Sequence, residues 1–139
     1  MDEIIFAEEY PTPEEYLALR RSVGWVLPDA AVVESSLRNS HYCVCARAKG
    51  RIVGMARIIG DGGMVYYIQD VIVEPSRQGE GIGGRLMDRT MDYIRLRSVR
   101  HTIVGLMAAK GKEPFYERHG FIRRPNEKLG AGMTMFWEA

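Results

Sequence analysis

Residues 78–84 read Gln78-Gly79-Glu80-Gly81-Ile82-Gly83-Gly84, and this run constrains the fold more than any other. It follows an apolar stretch, Met64 to Val73, that Glu74-Pro75-Ser76 brings to a stop. It precedes a segment in which Ile82, Leu86, Met87, Met91 and Ile94 recur at spacings near 3.6. A strand therefore enters a helix through a turn made largely of glycine. Glycine lets the backbone turn tightly and approach a guest, while the free N–H groups and dipole of a helix N-terminus face it. The natural guest is a phosphate or pyrophosphate. A plain strand-to-helix turn needs one glycine and not four. The chain holds 15 glycines in 139 residues, above the ordinary share of roughly 7%. Those at Gly50, Gly60, Gly62, Gly63 and Gly120 read as turn or cap residues.

The flanking sequence supplies a mixed set of elements. Ile4-Ile5-Phe6 suggests a short strand, and Thr12-Pro13-Glu14-Glu15 opens a helix with a cap, a first-turn proline and acids near its positive end. A second helix begins near Pro28-Asp29 and ends at Asn39. From His41 the period changes to two. Tyr42 to Ala46 and Ile52 to Ile59 flank Lys49-Gly50, a compact hairpin signal, and Met64 to Val73 completes a three-stranded meander. After the long helix come a strand over His101–Ala108, a short helix over Glu113–His119 closed by Gly120, extended chain at Phe121-Ile122 and a last strand over Met133–Trp137. The expected class is α/β, or α+β with a mixed sheet, in one domain over residues 1–139.

Several functions are disfavoured by what the chain lacks. Nineteen basic against 18 acidic residues give a net charge of +1, which offers no global field for nucleic acid. No run approaches the roughly 20 apolar residues of a membrane helix, and no signal peptide follows the acidic start Met1-Asp2-Glu3. Cys43 and Cys45 fall on one face of a strand and read as buried thiols, too close along the chain to bridge. His41, His101 and His119 have no ligand spacing, so no metal is expected. The expectation is a cytoplasmic, metal-free protein with no membrane partner.

Gly79, Gly81 and Gly84 satisfy GxGxxG. A dinucleotide fold wants an acid about 20 residues further on, and none lies between Asp92 and Glu113. Its strand should also open a βαβ unit, whereas this one is third in a meander. A Walker loop fails as well, since no Lys-Ser or Lys-Thr follows. The stretch Val71-Ile72-Val73-Glu74-Pro75, a short spacer, then Gln78-x-x-Gly81-x-Gly83 resembles motif A of the GCN5-related N-acetyltransferases. Phe115-Tyr116-Glu117-Arg118-His119-Gly120-Phe121 resembles that family's F-Y-E-x-x-G-F segment, and the element order and length also agree.

The resemblance implies an antiparallel meander plus a splayed parallel strand pair flanked by helices, with acetyl-CoA in the wedge between Tyr66–Val73 and Thr102–Ala108. It implies that backbone amides of Gly79, Gly81, Ile82 and Gly83 hold the pyrophosphate, that Gln78 shapes the loop, and that Val71 and Val73 pair with the pantetheine arm. The Val71 amide would stabilise the oxyanion, and Arg77 would meet a CoA phosphate. Tyr116 matches the tyrosine that acts as general acid toward the leaving thiolate. Gln69-Asp70-Val71-Ile72-Val73 is similar to the E-D-I/L-x-V stretch of the glucosamine-phosphate branch, with Gln69 in place of an acid. Asp70 thus stands either as amine-positioning or proton-removing group or as a structural one. Ala108-Ala109-Lys110-Gly111 lacks the asparagine that many members place on the cofactor.

The implied activity is acetyl transfer from acetyl-CoA to a primary amine of a small molecule, by direct attack in a ternary complex. Protein-lysine or N-terminal acetylation and a non-catalytic acyl-CoA sensor are the alternatives. Tyr10, Arg21, Trp25 and the Gly130-Ala131-Gly132-Met133 stretch are candidate acceptor-pocket residues, although Trp25 also suits packing. The resemblance allows a homodimer through the C-terminal strand.

Overall fold

The computed structural model describes residues 2–138. Chain compactness divides it into two units, one ending at Leu106 and one beginning at Met107.

The first unit begins with β1 (Ile4–Glu8), α1 (Pro13–Ser22), α2 (Ala30–Arg38), β2 (Tyr42–Ala48), β3 (Arg51–Gly60) and β4 (Val65–Val73). A single 3-10 turn (Pro75–Arg77), α3 (Ile82–Arg97) and β5 (Ile103–Leu106) complete it. The five strands form one sheet in the order β1-β2-β3-β4-β5, antiparallel throughout except for the parallel pair β4–β5. This is the mixed meander-plus-parallel-pair architecture expected.

Local chemistry explains the element bounds. Thr12 caps α1 by accepting from the Glu15 N–H (3.1 Å), and Glu15 answers by accepting from the Thr12 N–H (2.9 Å). Asp29 caps α2 through the Ala31 N–H. Lys49 and Gly50 both take positive φ (49° and 79°), as a two-residue hairpin whose twist matches its strands requires. Asp61 gathers the N–H groups of Gly63, Met64 and Val65 and so forms the next turn.

The sheet is covered on both faces. Cys43, Cys45, Met55 and Ile72 meet Tyr16, Leu19, Val33 and Leu37 from α1 and α2 in one apolar cluster, and Leu17, Val23 and Trp25 pack against it. Both cysteines are buried free thiols on the same face, as alternation predicts. On the other face α3 buries Ile82, Leu86, Met87, Thr90 and Ile94. Thr90 takes a core position the apolar pattern missed, because its hydroxyl donates to the Leu86 carbonyl (2.8 Å) and is thereby satisfied. Gly54 lies beneath α3, where a Cβ would lie 2.9 Å from the Ile72 carbonyl of β4 and 3.1 Å from the Leu86 side chain of α3.

The second unit contains α4 (Glu113–Glu117), closed by Gly120 at φ 95°. One sequence expectation is corrected there. The strand at Met133–Trp137 does not form; residues 121–138 carry no helix or strand. Met133, Met135, Phe136 and Trp137 are strongly exposed. An apolar, β-favouring run becomes a strand only when a neighbouring strand takes its N–H and C=O groups, and among the described residues none pairs with it.

Candidate functional site

The feature that organises the site is the end of the β4–β5 pairing. Val65 faces Ile103, Tyr66 faces Val104, Tyr67 faces Gly105 and Ile68 faces Leu106, and there the ladder stops. β4 runs on to Val73, so residues 69–73 have no β5 residue opposite. The Glu74 N–H donates to the Val53 carbonyl of β3 (2.8 Å). Strand alternation then turns Ile72 toward β3 and aims the N–H and C=O groups of Val71 and Val73 at the edge that β5 has left. Pairing with β3 jumps from Met55↔Ile72 to Arg57↔Gln69, which makes Asp70 and Val71 the two residues of a bulge. Asp70 sits there at φ 59°, a left-handed conformation uncommon for a residue with a Cβ.

The glycine turn begins immediately beyond β4. Gln78 leaves the 3-10 turn extended, and its side-chain amide donates back to the Val73 carbonyl (3.0 Å), tying the loop to the strand end. Gly79 and Gly81 adopt φ 87° and 82°. Gly81 is the N-cap of α3, with no side-chain cap and no acid in the first turn. The Arg85 N–H is satisfied by the Gly81 carbonyl (3.2 Å), whereas those of Ile82, Gly83 and Gly84 belong to the open first turn. A Cβ built on Gly79, Gly81 or Gly84 would meet open space. The cradle is therefore uncapped and unobstructed, and its residues fit a pyrophosphate. Gly81→Ala tests this directly. The substitution keeps the space but strains the positive φ by about 1–2 kcal/mol, so we expect CoA to bind roughly tenfold more weakly by calorimetry.

Arg77, expected to meet a phosphate, directs its Nε and Nη2 to Glu80 (2.9–3.2 Å), which closes the loop from its own side. A phosphate there would share the guanidinium with that carboxylate.

Asp70 lies at the other end of the splayed segment, buried, with its side chain fully covered. The Tyr16 hydroxyl and the Arg57 Nε both donate to Oδ2 at 2.7 Å, and the Arg20 Nη1 donates to Oδ1 at 2.5 Å. Burial first, then the Asp70 charge, pushes the Tyr16 phenol up to about 12. Arg57 is held above its ordinary value by Asp70 against the opposing effect of burial, and its Nη1 also reaches Ser40 (3.1 Å). Arg20 continues outward, donating through Nε and Nη2 to the Val26 carbonyl (2.9 and 2.6 Å) and lying 5.4 Å from the Trp25 ring.

Sequence reasoning missed Tyr16, Arg20 and Arg57. A signal for Arg57 existed: an arginine at an inward position of the apolar run Met55–Ile59 must have a buried partner. Tyr16 and Arg20 stand at i,i+4 beside the buried Leu19, so Arg20, not the exposed Arg21, faces inward. Trp25 is half-buried against the core. Tyr10 is exposed and lines a groove with Pro13, Glu34 and Arg38.

Tyr116 lies in the second unit, on α4. Its ring meets Phe115 (5.0 Å) and Phe121 (6.3 Å) edge-on, and burial pushes its hydroxyl up to about 12. Among the described residues none hydrogen-bonds that hydroxyl. Residues 130–133 are also in this unit, and Gly132 is crowded by Met107, whose sulfur would lie 2.8 Å from a Cβ. Among the described residues no group of His, Cys, Asp and Glu is placed to hold a metal ion, and no helix is long and apolar enough to cross a membrane.

A strand that outruns its parallel neighbour beside an uncapped glycine turn leaves backbone N–H and C=O groups open to an extended, anionic guest. Comparison with known proteins gives the family. Residues 23–136 match the acetyltransferase (GNAT) domain model. The uncharacterized N-acetyltransferase ycf52 of Pyropia yezoensis is 32% identical over 120 residues, covering 84% of this chain and 66% of the relative. Serotonin N-acetyltransferase 2, chloroplastic, of Oryza sativa subsp. japonica is 38% identical over 81 residues, covering 58% of this chain and 40% of the relative. A probable acetyltransferase of unknown function from meticillin-resistant Staphylococcus aureus superimposes with a TM-score of 0.90 at 34% identity, covering 97% of this chain and all of that one. The chain belongs to the GNAT N-acetyltransferase family. It spans just under two thirds of the length of the ycf52 relative.

Proposed function

We propose that this chain transfers the acetyl group of acetyl-CoA to a primary amine of a small molecule, by direct attack within a ternary complex. The observation that carries the reading is the parting of β4 from β5 after Ile68 and Leu106, next to an uncapped helix N-terminus. Bound acetyl-CoA would supply the thioester that the amine attacks. Gly79, Gly81, Ile82 and Gly83 hold the pyrophosphate through backbone N–H groups, while Gln78 keeps the loop against the Val73 carbonyl. Val71 and Val73 align the pantetheine arm as an added strand would align. The Val71 N–H donates to the carbonyl oxygen as negative charge develops on it.

Tyr116 donates to the departing sulfur. A phenol held up to about 12 stays protonated beside a thiol of ordinary value ~8.5, so it acts as a hydrogen-bond donor that stabilises the leaving thiolate. The small-molecule acceptor is supported by the relative named for serotonin.

The test is release of CoA thiol from acetyl-CoA over a panel of serotonin, tyramine, spermidine, glucosamine 6-phosphate and a lysine peptide. We expect release only when amine is present, matched by N-acetyl product, with a small amine ahead of the peptide. Tight CoA binding without release on any amine would make the chain a sensor, and a leading peptide would make it a protein acetyltransferase.

A further inference from the structure

We propose that Asp70 is a positioning residue: together with Tyr16, Arg20 and Arg57 it fixes the bulge that aims the Val71 N–H into the splayed segment, and it takes no proton from the acceptor. The inference rests on the acetyltransfer reading for its kinetic consequence alone. A general base needs a free lone pair within reach of the ammonium proton. A carboxylate offers about four lone-pair sites. Here Oδ2 accepts from Tyr16 and Arg57, and Oδ1 accepts from Arg20 with Gln69 Nε2 at 3.4 Å. The side chain has no exposed surface. An ammonium seeking this carboxylate would have to displace a guanidinium.

The same contacts explain the backbone. Asp70 holds φ 59° at the point where β4 and β3 lose register, and the next residue is Val71. Left-handed backbone at a non-glycine residue persists when its surroundings over-determine it. Here the surroundings are three side chains from two elements: Tyr16 and Arg20 from α1, and Arg57 from β3. Arg20 also grips the Val26 carbonyl. The loop at Trp25–Leu27, α1 and the bulge are thus one hydrogen-bonded unit, and a displacement of that loop reaches the Val71 amide through Arg20. The proton of the amine then leaves through water or another group.

Wild type, Arg20→Gln and Asp70→Asn decide the matter by two readouts. Asn keeps the shape of Asp and tolerates left-handed backbone. The first readout is the backbone amide spectrum of the 15N-labelled protein with and without CoA. The second is kcat against pH, with acetyl-CoA and the best amine of the panel. In Arg20→Gln we expect the Val71 amide resonance to move while those of Gly79, Gly81 and Gly83 stay and CoA affinity holds within twofold. We expect kcat to fall about tenfold, with the acid limb of its pH profile at the wild-type midpoint in both variants. Loss of that limb in Asp70→Asn, or its upward shift in Arg20→Gln, makes Asp70 the base and overturns the proposal. So does an unmoved Val71 resonance with wild-type kcat. Should Asp70→Asn not fold, Arg20→Gln gives the answer alone. Absence of turnover in wild type removes the acetyltransfer reading, and the Val71 resonance still tests the positioning.

Discussion

Replacing Tyr116 with Phe is expected to lower kcat by about 100-fold or more, the usual scale for a positioned proton donor, and to leave CoA affinity unchanged. The substitution removes one oxygen and keeps the ring that meets Phe115 and Phe121, so the fold should be unaffected. The pH dependence sharpens the test. Burial raises the phenol to about 12, so the protonated donor form persists through the whole range in which most amines are assayed. Wild-type kcat should therefore show no alkaline decline from this group between pH 8 and 10. Steady-state kinetics over that range check both points. Wild-type activity in Tyr116→Phe would take the hydroxyl out of the mechanism.

Asp70→Ala is expected to produce the largest loss of stability available from one surface-remote polar change. Removing one partner of a buried ion pair costs about 3–5 kcal/mol because the other charge is left uncompensated. Here two guanidinium groups, each only 12–13% exposed, lose their carboxylate. Alanine at φ 59° adds backbone strain. For a chain of this length the melting temperature should fall by roughly 10 °C or more. Asp92→Ala is the control. Its partner Arg95 is 63% exposed and the pair spans one helical turn, so the expected cost is under about 0.5 kcal/mol. Thermal unfolding of the two variants should separate them clearly; similar melting temperatures would mean that the Asp70 network adds little.

The glycine turn of the candidate site was legible in the sequence because it is written in backbone chemistry. Gly79 and Gly81 permit positive φ by having no side chain, and both adopt it, at 87° and 82°. The strand ending at Val73, the helix starting at Ile82 and the hairpin at Lys49-Gly50 are likewise local, set by periodicity and turn residues. The Asp70 network was not legible, because its members come from residues 16, 20, 57 and 70 and meet only when α1 docks on the sheet. No local pattern encodes such a meeting, although the inward Arg57 announced that one was required. The failed strand at Met133–Trp137 has the opposite cause. Its composition favours a strand, but pairing is a property of the neighbour. The elements therefore follow from short-range pattern, the turn before α3 from glycine, and the Asp70 network from long-range packing.

That the glycine turn and the splayed segment of β4 hold the cofactor is tested most directly by titrating CoA into the 15N-labelled chain and following backbone amides. The expected result is saturable movement of the Val71, Val73, Gly79, Gly81, Ile82 and Gly83 resonances with one dissociation constant, and none at the groove of Tyr10, Glu34 and Arg38. Saturable movement confined to other residues, with the glycine turn silent, would contradict it.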